Sequence, residues 1–201
     1  SHRFNFYSNG SDRPLALIIG LWLLQFCLQL VSLVVCLGRP PSKHLFTFVI
    51  GVSVLFRSML LFSTPIQEVD VYRYMWDGVV VTQGISPFRF APQEVLQADM
   101  SQADATLLKL TRLVDSDSGI RETLHRVHFP ELPTVYPPTS QFVFTIASWL
   151  TPSNASVEMR LRVMKSAILL FDLGTILLLW RVLVLRQKHP AWSISYAWSP
   201  L

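Results

Sequence analysis

Acidic and aromatic side chains are concentrated in the stretch Glu68–Pro87, which reads EVDVYRYMWDGVVVTQGISP. Glu68 and Asp70 lie two residues apart, shortly after an apolar segment ends. A carboxylate placed there can act as a general base if it lies within hydrogen-bond reach of an acceptor hydroxyl. An acid at a helix start can instead cap the helix and interact favourably with its dipole. From the residues alone, both interpretations of these acids stay open.

A cation and a third acid follow within about two helical turns. Arg73 lies three residues after Asp70, so the two side chains share a helix face. The planar guanidinium of Arg73 can hold a phosphate group, or it can form a plain ion pair with the acid. Asp77, which precedes Gly78, is either a site residue or a local hydrogen-bond anchor.

Three aromatic residues, Tyr72, Tyr74 and Trp76, alternate with other side chains in the same stretch. Their rings could stack against a sugar or contact a lipid headgroup. Aromatic residues also collect at bilayer interfaces whatever the protein does. The chemistry that this stretch could support is therefore proton transfer, with sugar or phosphate binding, at a membrane surface.

Membrane-spanning helices are the elements that must position this stretch. The 201 residues are 51% hydrophobic and only 15% charged, with a mean hydropathy of +0.39, whereas a soluble domain has about 25% charged residues. This composition excludes an ordinary soluble domain and predicts an all-α polytopic membrane protein. The apolar segments are Leu15–Leu37, Leu45–Phe62, Phe142–Leu150, Val163–Leu185 and a fifth that begins at Ala191.

Three regions follow from the order of these segments. Residues 1–62 are predicted to form two N-terminal transmembrane helices, 63–140 a long extracytoplasmic loop, and 141–201 further transmembrane helices. We expect an N-terminal fragment of a longer protein, because the sequence begins at Ser1 and stops at Leu201, just inside an apolar segment. The loop carries six Lys or Arg against ten Asp or Glu, which is a net charge of −4, and the remainder is +8. Short basic turns stay on the cytoplasmic side, so the loop is predicted to lie outside.

The orientation of the later segments depends on whether Phe142–Leu150 crosses the membrane. A full crossing puts Arg160, Arg162 and Lys165 inside, where basic residues are favoured, but it leaves Arg186 and Lys188 outside. Alternatively, this short segment enters and leaves the membrane on one side. We predict the full crossing.

Apolar spacing also predicts helices within the loop. The first covers Glu68–Gln83 and ends at Gly84. Two further amphipathic helices are predicted over Ala105–Val114 and Ile120–Val127. An extended arm, ELPTVYPP at Glu131–Pro138, leads into a helix whose start is set by proline. The amphipathic helices could lie along the membrane interface or pack on the loop itself.

One pair of histidines has the spacing of metal ligands. His125 and His128 form an H-x-x-H pattern with Glu131 nearby. Structural metal sites usually combine more Cys, His or Asp ligands than this segment offers, so the signal is weak. We predict no metal site.

Three motifs together resemble the GT-C superfamily of integral-membrane glycosyltransferases. They are EVDVYRYMWDG, then GISPFRFAP, then HFPELPTVYPPTSQ. The resemblance is greatest to bacterial polyprenyl-phosphate-mannose-dependent mannosyltransferases, and it extends more distantly to the catalytic subunit of the GPI mannosyltransferase. It runs from about residue 63 to 201, while the preceding residues match only as apolar helices. The family usually has one helix before the acidic loop, and this chain has two.

The resemblance implies a fold of transmembrane helices with juxtamembrane helices in the outer loop, and a defined reaction. A hexose, specifically mannose, would move from a polyprenyl-phosphate donor to an acceptor hydroxyl at the extracytoplasmic face, with inversion. Asp70 would be the general base, with Glu68 in the place of the family's first acid, and Arg73 would hold the donor phosphate. The substrate-binding residues implied are Arg73, Tyr72, Tyr74, Trp76, Asp77, His128 and Tyr136.

The same resemblance sets the expected partners and location. The partners are the lipid-phosphate sugar donor, a glycan or lipid-linked acceptor and membrane lipid, without nucleic acid. Neither a cofactor nor a metal is expected, and the location is a bacterial plasma membrane that the chain crosses several times. The motifs are specific only when they are taken together.

Two ionisable residues inside the apolar segments support a different function. Arg57 and Asp172 lie in the second and fourth segments, where charge is costly and often functional. They could form a structural pair, or they could line the pathway of a polytopic transporter or lipid flippase. Transporters often show internal repeats, and this sequence has none. A scaffold that keeps the fold without the activity is a further alternative.

Overall fold

The computed structural model describes residues 15–63, 69–99, 101 and 103–199. All the regular structure of these residues is helical, as predicted. Glu68 lies outside them. The helices are α1 (Leu15–Leu37), α2 (Lys43–Leu61), α3 (Val71–Thr82), α4 (Pro92–Leu96), α5 (Ala105–Ser116), α6 (Ser118–His125), α7 (Pro138–Trp149), α8 (Val157–Leu185), a 3-10 helix (Pro190–Ser193) and α9 (Ile194–Ala197).

The helices form two compact units, and the boundary between them falls within α8. Unit 1 contains α1, α2, the part of α8 from Leu169 onwards, and α9. Unit 2 contains α3 to α7 and the part of α8 up to Ile168. The helices α7 and early α8, which the sequence placed with further transmembrane segments, therefore pack with the helices of the loop.

Three of the described helices are long and apolar enough to cross a membrane. They are α1, α2 and α8, in which an 18-residue stretch has a mean hydropathy of 2.3, 1.8 and 2.3 respectively. Helix α7 has 12 residues, which gives a length of about 18 Å against a hydrocarbon core of about 30 Å. The prediction that the third apolar segment crosses the membrane fully is therefore wrong for the helix that forms there.

Unit 1 is held together by the packing of α1 and α2 against the end of the described chain. Ala191, Ile194 and Ala197 are fully buried in its core, next to Val49 of α2. The amide of Gln29 donates hydrogen bonds to the carbonyl oxygens of Ile194 and Ser195, each at 2.9 Å. The apolar segment that begins at Ala191 thus folds back as two short helices within unit 1 over the residues described.

An ion pair between Arg57 and Asp172 joins α2 to α8, as predicted. Arg57 also donates to the carbonyl oxygen of Ala197 at 2.7 Å, and the hydroxyl of Tyr196 donates to Asp172 at 2.6 Å. A buried charge is tolerated when it is paired and hydrogen-bonded in this way. The pair thereby connects both helices to α9.

The two basic turns of unit 1 lie at the same end of that unit. Nε2 of His189 lies 2.8 Å from the carbonyl oxygen of Arg39, which accepts a hydrogen bond from it. Arg39 belongs to the turn between α1 and α2, and His189 follows Arg186 and Lys188 directly. The prediction that Arg186 and Lys188 lie on the opposite side from Arg39 is therefore wrong. The reason is that α8, and not α7, is long and apolar enough to return the chain to this end of unit 1.

Helix α3 forms the centre of unit 2 and packs closely against α7. A methyl group at Gly78 would lie 2.3 Å from the carbonyl oxygen of Phe144 and 2.3 Å from Oγ of Ser148. Only glycine allows the two backbones to approach this closely. The helix begins at Val71 and ends before Gly84, whose φ of +73° places it in the left-handed region. The predicted helix is confirmed over Val71–Thr82, and so is its glycine stop, while the predicted start at Glu68 lies outside the described residues.

Asp117 fixes the position of α6 and the start of α8. Its Oδ1 accepts the backbone N–H of Ile120 at 2.9 Å, and its Oδ2 accepts from Nη2 of Arg160 at 2.6 Å and from the backbone N–H of Asn154 at 3.2 Å. Asp117 and Arg160 are both buried. Arg160 was expected on the opposite side of the membrane from the loop, but it packs against a loop residue, because α7 does not carry the chain across.

Candidate active site

Asp70 immediately precedes α3 but does not cap that helix. Its backbone is helical, with φ −64° and ψ −14°, and its side chain makes no capping hydrogen bond. The hydroxyl of Tyr136 instead donates to Oδ2 of Asp70 at 2.6 Å. Since the carboxylate does not accept the N–H groups of the first turn, the capping interpretation fails for Asp70.

Tyr136 reaches Asp70 from an arm that lies 66 residues further along the chain. The predicted arm lies outside helix and turn only over residues 133–137, because Glu131 and Leu132 lie in a turn and Pro138 begins α7. Residues before proline avoid helical backbone, which keeps this part of the arm out of a helix. Helix α7 then begins at Pro138, the position at which proline is favoured. The local sequence therefore sets the conformation that carries this hydroxyl.

Three aromatic rings form a cluster behind the hydroxyl of Tyr136. The ring of Tyr74 stacks on Phe144 with centroids 4.5 Å apart and an interplanar angle of 9°. Tyr136 meets Tyr74 edge to face at 4.8 Å. Such pairs add about 1 kcal/mol beyond the area that they bury. Tyr74 and Tyr136 are half-buried, so part of the cluster faces solvent.

The phenol of Tyr136 is held in its protonated form. Burial raises the pKa of Tyr136 well above its ordinary value of 10, and the hydrogen bond to Asp70 raises it further. The ring therefore stays a hydrogen-bond donor to the carboxylate throughout the physiological pH range. Tyr136 is thus a neutral hydrogen-bond donor to the side chain of Asp70, which is half-buried.

Arg73 is directed into unit 2 and not toward solvent. Only 6% of the residue is exposed. Its guanidinium donates to the backbone carbonyl oxygens of Leu132 at 2.9 Å and Phe129 at 2.8 Å, with a weaker contact to His128 at 3.5 Å. Burial lowers the pKa of Arg73, and the nearby acids, chiefly Asp77, oppose that effect. In this geometry Arg73 fixes the segment that leads into the arm.

Asp77 belongs to a second buried network that ends on the same arm. Nε2 of Gln141 donates to Oδ2 of Asp77 and to Oγ1 of Thr134, each at 3.0 Å. Oγ1 of Thr134 also accepts the backbone N–H of Tyr136 at 3.3 Å. Burial raises the pKa of Asp77, and the hydrogen bond from Gln141 partly opposes that rise. Asp77 is 1% exposed and acts as an anchor for the arm.

The remaining predicted site residues divide between core and surface. Tyr72 and Trp76 are buried, with 4% and 2% exposed, so neither ring presents a face for a ligand in this geometry. Nη1 of Arg126 donates to the hydroxyl of Tyr72 at 3.2 Å. His128 is exposed, and its ring packs on Phe129 with centroids 4.0 Å apart. In the described part of the chain, no three His, Cys, Asp or Glu side chains group as metal ligands would.

Sequence reasoning missed Gln141, Thr134 and Phe144. Gln141 and Phe144 lie three apart on α7, and both are buried against α3. A polar residue on the apolar face of a short helix is a signal that could have identified Gln141. Phe144 could not be singled out, because aromatic residues in an apolar segment are ordinary core residues.

Neither a protein-family model, a curated protein nor a solved structure matches this chain. What the fold establishes is an all-helical arrangement of the described residues, with three candidate membrane spans and hence membrane association.

Proposed function

We propose that this protein is a membrane glycosyltransferase that moves a hexose, with mannose as the first candidate, from a polyprenyl-phosphate donor to an acceptor hydroxyl at the extracytoplasmic face. Asp70 is the general base in this proposal. The observation that carries it is the state of the Asp70 carboxylate. It stands at the start of α3 without capping the helix, it remains half-buried, and the hydroxyl of Tyr136 holds one of its oxygens at 2.6 Å.

The reaction would be a direct displacement at the anomeric carbon of the donor sugar. The acceptor oxygen attacks from the side opposite the phosphate while Asp70 takes the hydroxyl proton. The bond between the anomeric carbon and the phosphate oxygen breaks, and the lipid phosphate leaves with its electron pair. The anomeric configuration is thereby inverted. A positioned general base contributes about 100-fold to 10,000-fold in rate to such a step.

The surroundings of Asp70 suit this role in two ways. The solvent-facing parts of Tyr74 and Tyr136 offer aromatic surface beside the carboxylate, against which the apolar face of a sugar can lie. Arg73 and Asp77 hold the arm that carries Tyr136 from two sides. We assign these two residues to positioning the arm. Glu68, two residues before Asp70, is the second acid of the proposed site and takes the place of the family's first acid.

Transfer of radiolabelled mannose from polyprenyl-phosphate mannose tests this function, in membranes that carry the full-length protein. We expect Asp70→Asn to reduce transfer by about 100-fold or more, because an amide cannot accept the acceptor proton. Asp104→Asn is the matched control. Asp104 also sits at a helix start, it is exposed, and it caps α5 through Thr106 and Leu107, a role that asparagine fills equally well.

Two results would contradict the proposal. Undiminished transfer by Asp70→Asn would remove Asp70 as the base. No transfer by the unaltered protein, from polyprenyl-phosphate mannose or from other polyprenyl-phosphate hexoses, would remove the glycosyltransferase function itself.

A further inference from the structure

The outward side of α7 is apolar from Phe142 to the end of the helix. Phe142, Ile146, Trp149 and Leu150 follow one another at spacings of four, three and one residues, so they lie on one face of the helix. Phe142 is 65% exposed, Trp149 78% and Leu150 60%. We call these four residues the α7 stripe. The opposite side of the helix, with Gln141, Phe144 and Ala147, is buried.

The α7 stripe has the composition of a lipid-facing surface. Helix α7 contains no Asp, Glu, Lys or Arg. Protein–protein interfaces ordinarily place a polar, partly charged rim around an apolar centre. Exposed apolar patches of several large side chains mark either a membrane-facing surface or a partner site. Trp149 lies at the C-terminal end of the helix, and tryptophan is enriched where hydrocarbon meets headgroups.

A short connection joins α7 to a candidate membrane span. Six residues separate Leu150 from Val157, where α8 begins. Helix α8 is a candidate span, and its residues up to Ile168 belong to unit 2 itself. Within that part Met159 and Ile168 are exposed as well. Glu158 and Arg162 are exposed in the same part of α8, so the apolar exposure is interrupted there. What ties α7 to the bilayer is its short connection to a helix that is long and apolar enough to span.

We propose that the α7 stripe is inserted among the acyl chains of the bilayer. Helix α7 is too short to span, at about 18 Å, so it lies in the membrane boundary as amphipathic helices do. Its buried side then faces α3, which carries the Asp70 site at its start. This inference concerns the anchoring of unit 2 and holds whether or not the chain transfers a sugar.

Spin labels on the α7 stripe test the proposal in phosphatidylcholine vesicles. Phe142→Cys and Trp149→Cys, each with Cys27→Ser and Cys36→Ser, are labelled in the full-length protein. Ser116→Cys, on the exposed end of α5, is the control. Oxygen concentrates in acyl chains, and a water-soluble nickel chelate stays outside them. We expect the ratio of oxygen to nickel accessibility on the stripe to exceed that at residue 116 by about tenfold.

Each other occupant gives a different result, and each would overturn the proposal. High nickel accessibility means that the stripe faces water. Low accessibility to both reagents with dipolar broadening between labels means that a second copy covers it. Low accessibility to both without broadening means that another part of the chain covers it.

Tryptophan fluorescence gives a second measurement that needs no label. In vesicles with brominated acyl chains, we expect Trp149→Phe to remove part of the quenchable emission. Trp76→Phe is the matched control, since Trp76 is 2% exposed within unit 2, and it should leave the amount of quenchable emission unchanged. Equal quenching of the unaltered protein and of Trp149→Phe would contradict the inference.

Discussion

Among the described residues of unit 2, three aspartates stand at helix starts, and Asp70 is the one of them that does not cap. Asp104 and Asp117 each accept backbone N–H groups of the first turn, at 2.8 to 2.9 Å. Asp70 accepts the hydroxyl of Tyr136 instead. A cap stabilises a helix by about 1 kcal/mol, and α3 forms without that contribution from Asp70. This contrast within one unit is the physical reason for proposing a role for Asp70 other than capping.

The hydroxyl of Tyr136 is predicted to orient Asp70, and Tyr136→Phe tests this directly. Phenylalanine keeps the ring contacts with Tyr74 and removes only the hydrogen bond. We expect transfer to fall by about tenfold, because a hydrogen bond to a carboxylate contributes about 1.5 kcal/mol or more to holding its geometry. Initial rates of mannose transfer measure the effect. Val135→Ala is the control, since Val135 is exposed on the same arm.

For Tyr136→Phe, a rate equal to that of the unaltered protein would show that Asp70 is held by other groups. Loss of the folded state would show a structural role, and a thermal unfolding scan of the purified variant separates the two outcomes. Burial raises the pKa of the Tyr136 phenol, so it stays neutral at physiological pH and its ionisation does not affect the comparison.

Asp77 is predicted to make the stability of the protein fall as the pH rises. Burial raises the pKa of Asp77 above its ordinary value of 3.8. Between the ordinary and the raised value the folded state binds more protons than the unfolded state, so stability is lost as the pH rises through the folded pKa. We expect Asp77→Asn to abolish this loss and to be more stable than the unaltered protein at pH 7, by about 1 kcal/mol, the size of one buried hydrogen bond.

Thermal unfolding of both proteins between pH 4 and pH 8 measures the effect of Asp77→Asn. The difference in stability between the variant and the unaltered protein should shrink toward low pH, where Asp77 is neutral in the folded state. A variant that is less stable at pH 7, with a gap that widens as the pH rises, would show that attraction between Asp77 and the buried Arg73 outweighs the cost of burial.

The individual site residues were predictable from sequence to very different degrees. Asp70 and Tyr136 could both be identified, because each lies in a motif of unusual composition. Their contact could not, since it joins residues 66 apart and depends on how α3 packs on α7. The burial of Arg73 could not be predicted from the sequence either. Helical spacing places Arg73 beside Asp70, but only tertiary packing decides that its guanidinium binds carbonyl oxygens.

At the scale of elements, the contact of α3 with α7 determines whether the site can form. Asp70 immediately precedes α3 and Tyr136 precedes α7, so any separation of the two helices separates the carboxylate from the hydroxyl. Tyr74 and Phe144 stack across the same contact. The close approach at Gly78 is therefore coupled to the geometry of the site.

Gly78→Ala is predicted to destabilise unit 2. The new methyl group would lie 2.3 Å from the carbonyl oxygen of Phe144, which is backbone and cannot rotate away. Overpacking of this kind costs about 3 kcal/mol, and alanine returns about 1 kcal/mol of helix propensity, so a net loss of about 2 kcal/mol is expected. Chemical denaturation of the purified protein measures it.

Gly51→Ala is the matched control for Gly78→Ala. Gly51 lies within α2, and a methyl group there would have no heavy atom within 4 Å. We expect that variant to be as stable as the unaltered protein or slightly more stable. Equal stability of Gly78→Ala and Gly51→Ala would contradict the close packing of α3 on α7.

Helix positions were the most predictable feature of the elements. The periodicities of α3, α5 and α6 and the proline start of α7 were readable, because they depend on residues within a few positions of one another. The short helix α4, at Pro92–Leu96, was missed, since five residues are too few to show a helical periodicity. The prediction that the segment of α7 crosses the membrane was wrong for a physical reason. An apolar run shows that a segment avoids water, but not whether lipid or another helix covers it.

For the whole molecule, the distribution of charge and the fold of unit 1 agree on one topology. With α1, α2 and α8 as the spans, the basic turn at Arg39 and the basic turn at Lys188 lie on the same side, as the hydrogen bond from His189 to Arg39 requires. The conflict that the positive-inside rule raised for the second turn disappears. Arg160, at the start of α8, is neutralised by Asp117 and so does not oppose this arrangement.

This topology predicts which residues a membrane-impermeant maleimide reaches in intact cells. In the full-length protein with Cys27→Ser and Cys36→Ser, we expect Ser116→Cys to be labelled from outside. Lys43→Cys and Lys188→Cys should be labelled only after the membrane is permeabilised, because both lie in basic turns that stay in the cytoplasm. All three positions are exposed, so burial cannot prevent the reaction. Labelling of residue 188 without permeabilisation, with residue 43 still protected, would mean that α7 does cross the membrane and that the packing of His189 on Arg39 is absent in the cell.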